Sequence, residues 1–406
     1  MARCVIVGAS HAAAQVVFSL RQLKYEGEIV LVGDEPYLPY NRPPLSKTFL
    51  SGDVSIDQIL IRPEKAYEKA EVTLKLGRRA IAVDATAKEL TLDDGEVIPY
   101  DKLVLATGSK ARQVSLPGSD LNGLHYLRTI EDVEAIRQRV APGSRAVIVG
   151  GGYIGLETAA AMRKLGMEVT VLEAMSRILQ RVTAPKLSEF YHRVHTEEGV
   201  SIHVDAMVSS IVGDKNVAAV TTADGAEYPA DVVVVGIGIL PEVDLAESAG
   251  VDVDNGILVN EFAETSNPDI LACGDCTSHF NPIYQRQIRL ESVQNAVDQA
   301  KVVAATICGK RDAYSALPWF WSDQYDIKLQ IAGLSQGFDR VVVRGDIDAG
   351  RSFAAFYLLG DQLLAVDAVN RPQEFMIGRR LLSQGISPPA EMLADDGVDV
   401  KSLINA

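Results

Sequence analysis

The sequence predicts an α/β chain: two doubly wound, Rossmann-like nucleotide-binding domains followed by a C-terminal α+β domain. Three observations predict it. Residues 90–108, LTLDDGEVIPYDKLVLATG, recur as 220–238, VTTADGAEYPADVVVVGIG, at a constant offset of 130 without a gap. A glycine-rich turn between an apolar strand and an apolar helix precedes each copy. After residue 310 the pattern changes to alternating apolar and polar residues, with turn residues between the runs.

The elements follow in order. Cys4–Val7 reads as a buried strand, Gly8-Ala9-Ser10-His11-Ala12-Ala13 as the first turn, and the apolar run to Leu20 as its helix. With Arg3 ahead of it, this stretch also has the outline of a signal peptide, but strand, turn and helix describe it better. Glu28–Val32 is the next strand, with Asp34 beyond its end. Each 19-residue repeat reads as a hairpin with an Asp-Gly turn, then a buried strand ending at Gly108 or Gly238. In the second half, Ala146–Val149 leads into Gly150-Gly151-Gly152-Tyr153-Ile154-Gly155. Glu168–Leu172 then ends at Glu173, 18 residues after Gly155. Residues 318–370 read as strands with turns at Gly337, Gly345-Asp346 and Gly360-Asp361, and 372–384 as a helix. The expected domains are 1–109 with 239–315, 110–238, and 316–406.

Composition narrows the function. A net charge of −15 argues against general nucleic-acid binding, which needs a basic surface. Four cysteines in 406 residues make no disulfide scaffold, so a reducing cytoplasm is the expected setting. No apolar run approaches the ~20 residues of a membrane helix, and no His or Cys cluster has metal-ligand spacing.

Gly150, Gly152 and Gly155 fit G-x-G-x-x-G: a tight turn, a close backbone approach to pyrophosphate, and close packing of helix on strand. Ile154 sits in that turn. A carboxylate at Glu173 accepts hydrogen bonds from ribose hydroxyls and repels a 2′-phosphate, which favours NADH. Arg177 nearby is the residue that keeps NADPH open. The first turn is a weaker match, with Ser10 and Ala13 at the second and third glycine positions. As the duplicate of the other it becomes a second dinucleotide site, and FAD beside NADH is the natural pair.

The chain resembles the oxygenase-coupled, NADH-dependent ferredoxin reductases, flavoproteins of the glutathione-reductase fold. The resemblance runs over essentially the whole chain. It is carried by Pro43-Pro44-Leu45-Ser46-Lys47, Ala106-Thr107-Gly108, the 150–157 turn, Gly274-Asp275-Cys276, the run 318–325 (PWFWSDQY) and Asn370-Arg371-Pro372. It implies FAD against Gly8, Ser10, Ala12, Asp34, Lys47, Ala80, Thr107, Gly108, Arg128, Gly274, Asp275 and Val293. It implies NAD against Gly150, Gly152, Ile154, Gly155, Glu173 and Gly238. It places Lys47 near the flavin ring, Glu157 within reach of Lys47, and Trp321 toward the redox partner, as part of an electron path or as an anchor of the C-terminal domain. His11 is expected as a loop residue over the flavin phosphates.

The electron exit is read partly from what is missing. Disulfide reductases of this fold carry a cysteine pair where this chain reads Tyr40-Asn41-Arg42-Pro43-Pro44-Leu45-Ser46-Lys47, without cysteine. Cys273 and Cys276 have C-x-x-C spacing, but Cys273 ends a buried strand, which disfavours a reactive dithiol. Electrons then leave from the flavin itself, one at a time, to an iron–sulfur protein; the resemblance implies that this is a [2Fe-2S] ferredoxin serving a cytochrome P-450 type monooxygenase. The alternatives are a ring-hydroxylating dioxygenase, rubredoxin, a quinone or oxygen downstream, or a slowly turning NADH-responsive flavoprotein of the apoptosis-inducing-factor kind. Lys301, Arg286, Arg289, Arg379 and Arg380 are the basic residues put forward for docking.

Overall fold

Buried apolar runs fix the two central sheets. Arg3–Val7 and Arg145–Val149 have every residue after the arginine buried, as expected for strands covered on both faces. The computed structural model describes residues 2–405. Residues group into two compact units: 2–42, 55–110 and 239–318 in the first, and 43–54, 111–238 and 319–405 in the second. The expected first domain, 1–109 with 239–315, includes 43–54. Instead this stretch packs on helix Tyr153–Lys164, where Lys164 bonds Asp53 at 2.7 Å.

In the first unit a five-stranded parallel sheet runs Ile270–Ala272, Lys102–Leu105, Arg3–Val7, Glu28–Gly33, Val72–Leu76. In the second, Val200–His203, Glu168–Leu172, Arg145–Val149, Val232–Val235 and Leu124–Tyr126 repeat the arrangement, again all parallel. The duplication is visible residue by residue. Leu90 pairs with Ile98 as Val220 pairs with Tyr228, and Glu89 with Pro99 as Ala219 with Pro229. Gly95 and Gly225 take the positive φ of their turns, +85° and +87°. The matched Asp101 and Asp231 do the same work: each accepts the N–H of the first residue of the central strand, Arg3 at 2.6 Å and Arg145 at 2.8 Å.

The C-terminal part of the second unit is a five-stranded antiparallel sheet in the order Trp319–Gln324, Ile327–Gly333, Gln362–Val369, Ser352–Leu359, Arg340–Asp346, backed by helix Pro372–Gln384. The turns at Gly337 and Gly360-Asp361 are where the sequence puts them. Gly345-Asp346 is not a turn: both residues belong to strand Arg340–Asp346, paired with Phe353 and Ser352. The link follows at 347–351, held by Asp346 accepting from the Asp348 and Ala349 N–H groups.

Candidate active site

In the first unit the chain turns from strand to helix at Gly8. Its φ is +111°, and a Cβ there would lie 2.1 Å from the Ala106 carbonyl oxygen, so only glycine fits. Helix His11–Gln22 opens at once, leaving its first N–H groups free of intrahelical partners, the usual cradle for a pyrophosphate. His11 is therefore the first helical residue rather than a loop residue, because Ser10 already takes the extended N-cap conformation. Ala12 stands against Gly274: a Cβ on Gly274 would meet Ala12 Cβ at 3.4 Å and Ala296 Cβ at 3.8 Å. Val293 begins helix Val293–Ile307, which Ser292 caps through the Asn295 N–H. Asp275 accepts from Ser109 at 3.3 Å. Thr107 donates to the Glu242 carbonyl, and Gly108 takes a positive φ of +67°. Asp34 is exposed just past strand Glu28–Gly33, Ala80 opens strand Ala80–Asp84, and Arg128 lies in the second unit, its backbone N–H on Asp132.

Arg42 was not singled out from sequence. Its guanidinium is held by Glu35 at 2.7 Å, donates to the Tyr40 hydroxyl, and reaches Ser10 Oγ at 3.2 Å. This also accounts for the serine in the first turn. At the equivalent Gly152 a Cβ would meet nothing within 4 Å, so the position tolerates a side chain, and Ser10 uses it to bind the arginine. Glycine at the turn, free helix amides and a nearby arginine fit FAD.

In the second unit Gly150 repeats Gly8 with φ +111°, and a Cβ on Gly155 would lie 2.1 Å from the Gly150 oxygen. A cavity of about 550 Å³ opens over this turn, lined among others by Gly150, Gly152, Glu173, Met175, Arg181 and Ile237. Both Glu173 carboxylate oxygens are fixed by backbone, one by the Gly151 N–H and one by the Met175 N–H, each at 2.8 Å. Ile154, at the helix start, is 45% exposed. Gly238 has φ +109° with open space around it. The cavity, the glycines and the aimed carboxylate fit a dinucleotide. Arg177 does not face it: its guanidinium donates to the Thr183 and Gln180 carbonyls and to Ser188 Oγ, because the loop at 178–184 folds over it. The arginine on the cavity wall is Arg181, which the sequence reading passed over.

Lys47 and Glu157 meet. Lys47 Nζ lies 2.6 Å from Glu157 Oε2, and Glu157 is only 2% exposed. Ser46 donates to the same oxygen at 2.5 Å, and Ser322 to Oε1 at 2.6 Å. Neither serine was put forward as a site residue. Trp321 points to the other face of its strand from Ser322. It packs on Trp319, centroids 5.5 Å apart, and the Arg379 guanidinium lies 5.6 Å from the Trp319 ring. Of the other docking residues, Lys301 pairs with Asp298 and Arg289 with Glu291, Arg286 lies over Tyr284, and Arg380 is exposed.

The Cys273/Cys276 pair is closed off from solvent. Cys273 and Cys276 are fully buried free thiols, and burial raises both pKa values. Cys276 donates to the Leu105 and Cys273 carbonyls. No helix of the described residues is long and apolar enough to cross a membrane.

The family model for pyridine nucleotide-disulphide oxidoreductases matches residues 2–300, and that for the reductase C-terminal domain matches 319–404. The chain belongs to the pyridine nucleotide-disulphide oxidoreductases. It is a flavoprotein oxidoreductase of the glutathione-reductase fold that uses FAD and NAD(H). It is 43% identical to putidaredoxin reductase of Pseudomonas putida, covering 99% of this chain and 96% of the relative. It is 42% identical to the ferredoxin–NAD(+) reductase component of an anthranilate 1,2-dioxygenase system from Burkholderia cepacia, over 98% of each chain. The crystal structure of a covalent putidaredoxin reductase–putidaredoxin complex superposes with a TM-score of 0.97 at 42% identity, covering 100% of this chain and 98% of that one.

Proposed function

We propose that this protein is an NADH:ferredoxin reductase that accepts hydride from NADH and delivers single electrons to a [2Fe-2S] ferredoxin serving a cytochrome P-450 type monooxygenase. The reading is carried by one observation. A chain with two dinucleotide turns has no cysteine in 40–47, and its C-x-x-C thiols are buried, so electrons leave without a sulfur relay. Whole-length likeness to reductases named for ferredoxin-type partners supports the acceptor.

The flavin supplies the conversion of one hydride into two single-electron steps. The protein supplies position and charge. The turn at Gly150 and the carboxylate of Glu173 take the pyrophosphate and ribose of NADH. Lys47 is the cation for the flavin ring, where it favours negative charge on the reduced form. Glu157 holds Lys47. In Glu173 a carboxylate faces the adenosine site while Arg177 is committed to its own loop, which favours NADH over NADPH.

The test compares NADH-dependent cytochrome c reduction with and without an added [2Fe-2S] ferredoxin. Strong stimulation by the ferredoxin is expected. Equal rates would refute the acceptor assignment. The dioxygenase in the name of one relative makes a ring-hydroxylating oxygenase the second reading for the downstream partner. Supplying each oxygenase type with the same ferredoxin and following product formation separates the two.

A further inference from the structure

We propose that Ser322, Gln324 and His195 are positioning residues for hydride transfer, forming a one-way chain of donors that ends on Glu157 and holds its carboxylate against Lys47. This rests on the reading that the Lys47–Glu157 pair acts at the flavin.

The sense of the chain is forced at every link. Glu157 Oε1 is a carboxylate oxygen with no proton to give, so Ser322 must donate to it across 2.6 Å. The Ser322 oxygen then accepts from Gln324 Nε2 at 3.1 Å. Turning the Gln324 amide over would draw the serine proton away and leave two oxygens facing each other at hydrogen-bond distance. With Nε2 on the serine, Gln324 Oε1 faces His195 Nε2 at 2.7 Å, so that nitrogen carries the hydrogen. Burial pushes the His195 pKa down to about 4, leaving one N–H on the neutral ring. His195 Nδ1 is therefore an acceptor, filled by the Tyr325 hydroxyl at 3.2 Å.

The scaffold is rigid. Ser322 and Gln324 are two residues apart on strand Trp319–Gln324 and share one face. His195 lies in the last turn of helix Pro185–Glu197, and Glu157 is on helix Tyr153–Lys164. Ser322, Gln324, His195 and Glu157 are all buried. Glu157 Oε2 already carries Ser46 and Lys47, so Ser322 is the donor that fixes Oε1. Buried polar chains of this kind specify a single arrangement when fully satisfied. Without Ser322 the carboxylate is free to rotate and loosen its hold on Lys47.

The experiment is anaerobic stopped-flow reduction of the FAD holoenzyme by NADH. Ser322→Ala should lower the limiting reduction rate about tenfold, while the half-saturating NADH concentration changes less than about twofold. Gln324→Met, one link further out, should lower it about threefold. Ser322→Thr keeps the hydroxyl and should recover most of the rate. In a Glu157→Ala background Ser322→Ala should have no further effect, since it acts only through that carboxylate. Flavin content and thermal melts report folding, and Gln324→Met carries the test if Ser322→Ala does not assemble. A wild-type rate in assembled Ser322→Ala, or in Gln324→Met where Ser322→Ala does not assemble, or an undiminished tenfold loss on top of Glu157→Ala, overturns the proposal. Lys47→Ala is measured in parallel. If it is slow while Ser322→Ala is not, the positioning role alone fails; if Lys47→Ala reduces at the wild-type rate, the flavin reading fails and this proposal with it.

Discussion

Asp367 sits fully buried in the C-terminal sheet, and burial pushes its carboxyl up from 3.8 to about 7. Two hydroxyls reach the same oxygen, Tyr357 at 2.5 Å and Thr183 at 3.2 Å. Tyr357 also accepts the Ala184 N–H, tying the sheet to the start of helix Pro185–Glu197. The perturbation is Asp367→Asn, which keeps an oxygen for both hydroxyls and removes the charge. In the folded protein the proton stays on until about pH 7; in the unfolded chain it is lost near 3.8. Between these values the folded state binds more protons, so this group's contribution falls as pH rises and is lowest above pH 7. A raise of about three pH units corresponds to about 4 kcal/mol. At about 2–4 °C per kcal/mol for a cooperative unit of ~200 residues, the effect is on the order of 10 °C. The assay is thermal melting of holoenzyme by flavin fluorescence and circular dichroism. The Tm advantage of Asp367→Asn over wild type should grow from pH 5 to about pH 7 and level off toward pH 8. An advantage independent of pH, or one shrinking toward pH 8, would refute the argument.

Three further outcomes are expected. His195 and His279 are buried, and burial pushes each down to about 4; their contribution is complete above pH 6.5 and is lost as pH falls toward 4, at about 3 kcal/mol each. His279→Gln should therefore flatten the loss of Tm between pH 6.5 and 4.5. Glu173→Gln sets an amide N–H against one of the two backbone N–H groups it now accepts; steady-state kinetics should show the KM for NADH rising about tenfold with kcat little changed, and preference for NADH over NADPH reduced. Raising NaCl from 50 to 500 mM should slow ferredoxin reduction severalfold and leave flavin reduction by NADH unchanged, as expected when basic residues steer an acidic partner. Equal salt dependence of the two half-reactions would remove the steering role.

Much of this site was legible because local rules govern it. Gly8 and Gly150 stand where a Cβ would meet a carbonyl, so glycine there announces the turn, and Glu173 follows at the end of the next strand. Arg177 shows where the rule stops. It has the right spacing for a 2′-phosphate, yet three acceptors within 11 residues of it in the chain draw it inward. His11, expected in the loop, opens the helix because a six-residue turn overruns the true helix start: Ser10 already holds the extended N-cap conformation, as Gly152 does in the second turn.

Legible in the residues alone were the duplicated nucleotide-binding halves, the two strand–turn–helix sites and the strand-rich α+β C-terminal region. Periodicity, glycine positions and strand-end acids act over a few residues, so they can be read one after another. What surrounds Glu157 came from packing between distant parts of the chain. Ser46 and Ser322 reach it from 111 and 165 residues away, and their meeting depends on how a strand of the C-terminal sheet docks on helix Tyr153–Lys164. Such a contact is set by the packing of whole elements, and no local spacing encodes it.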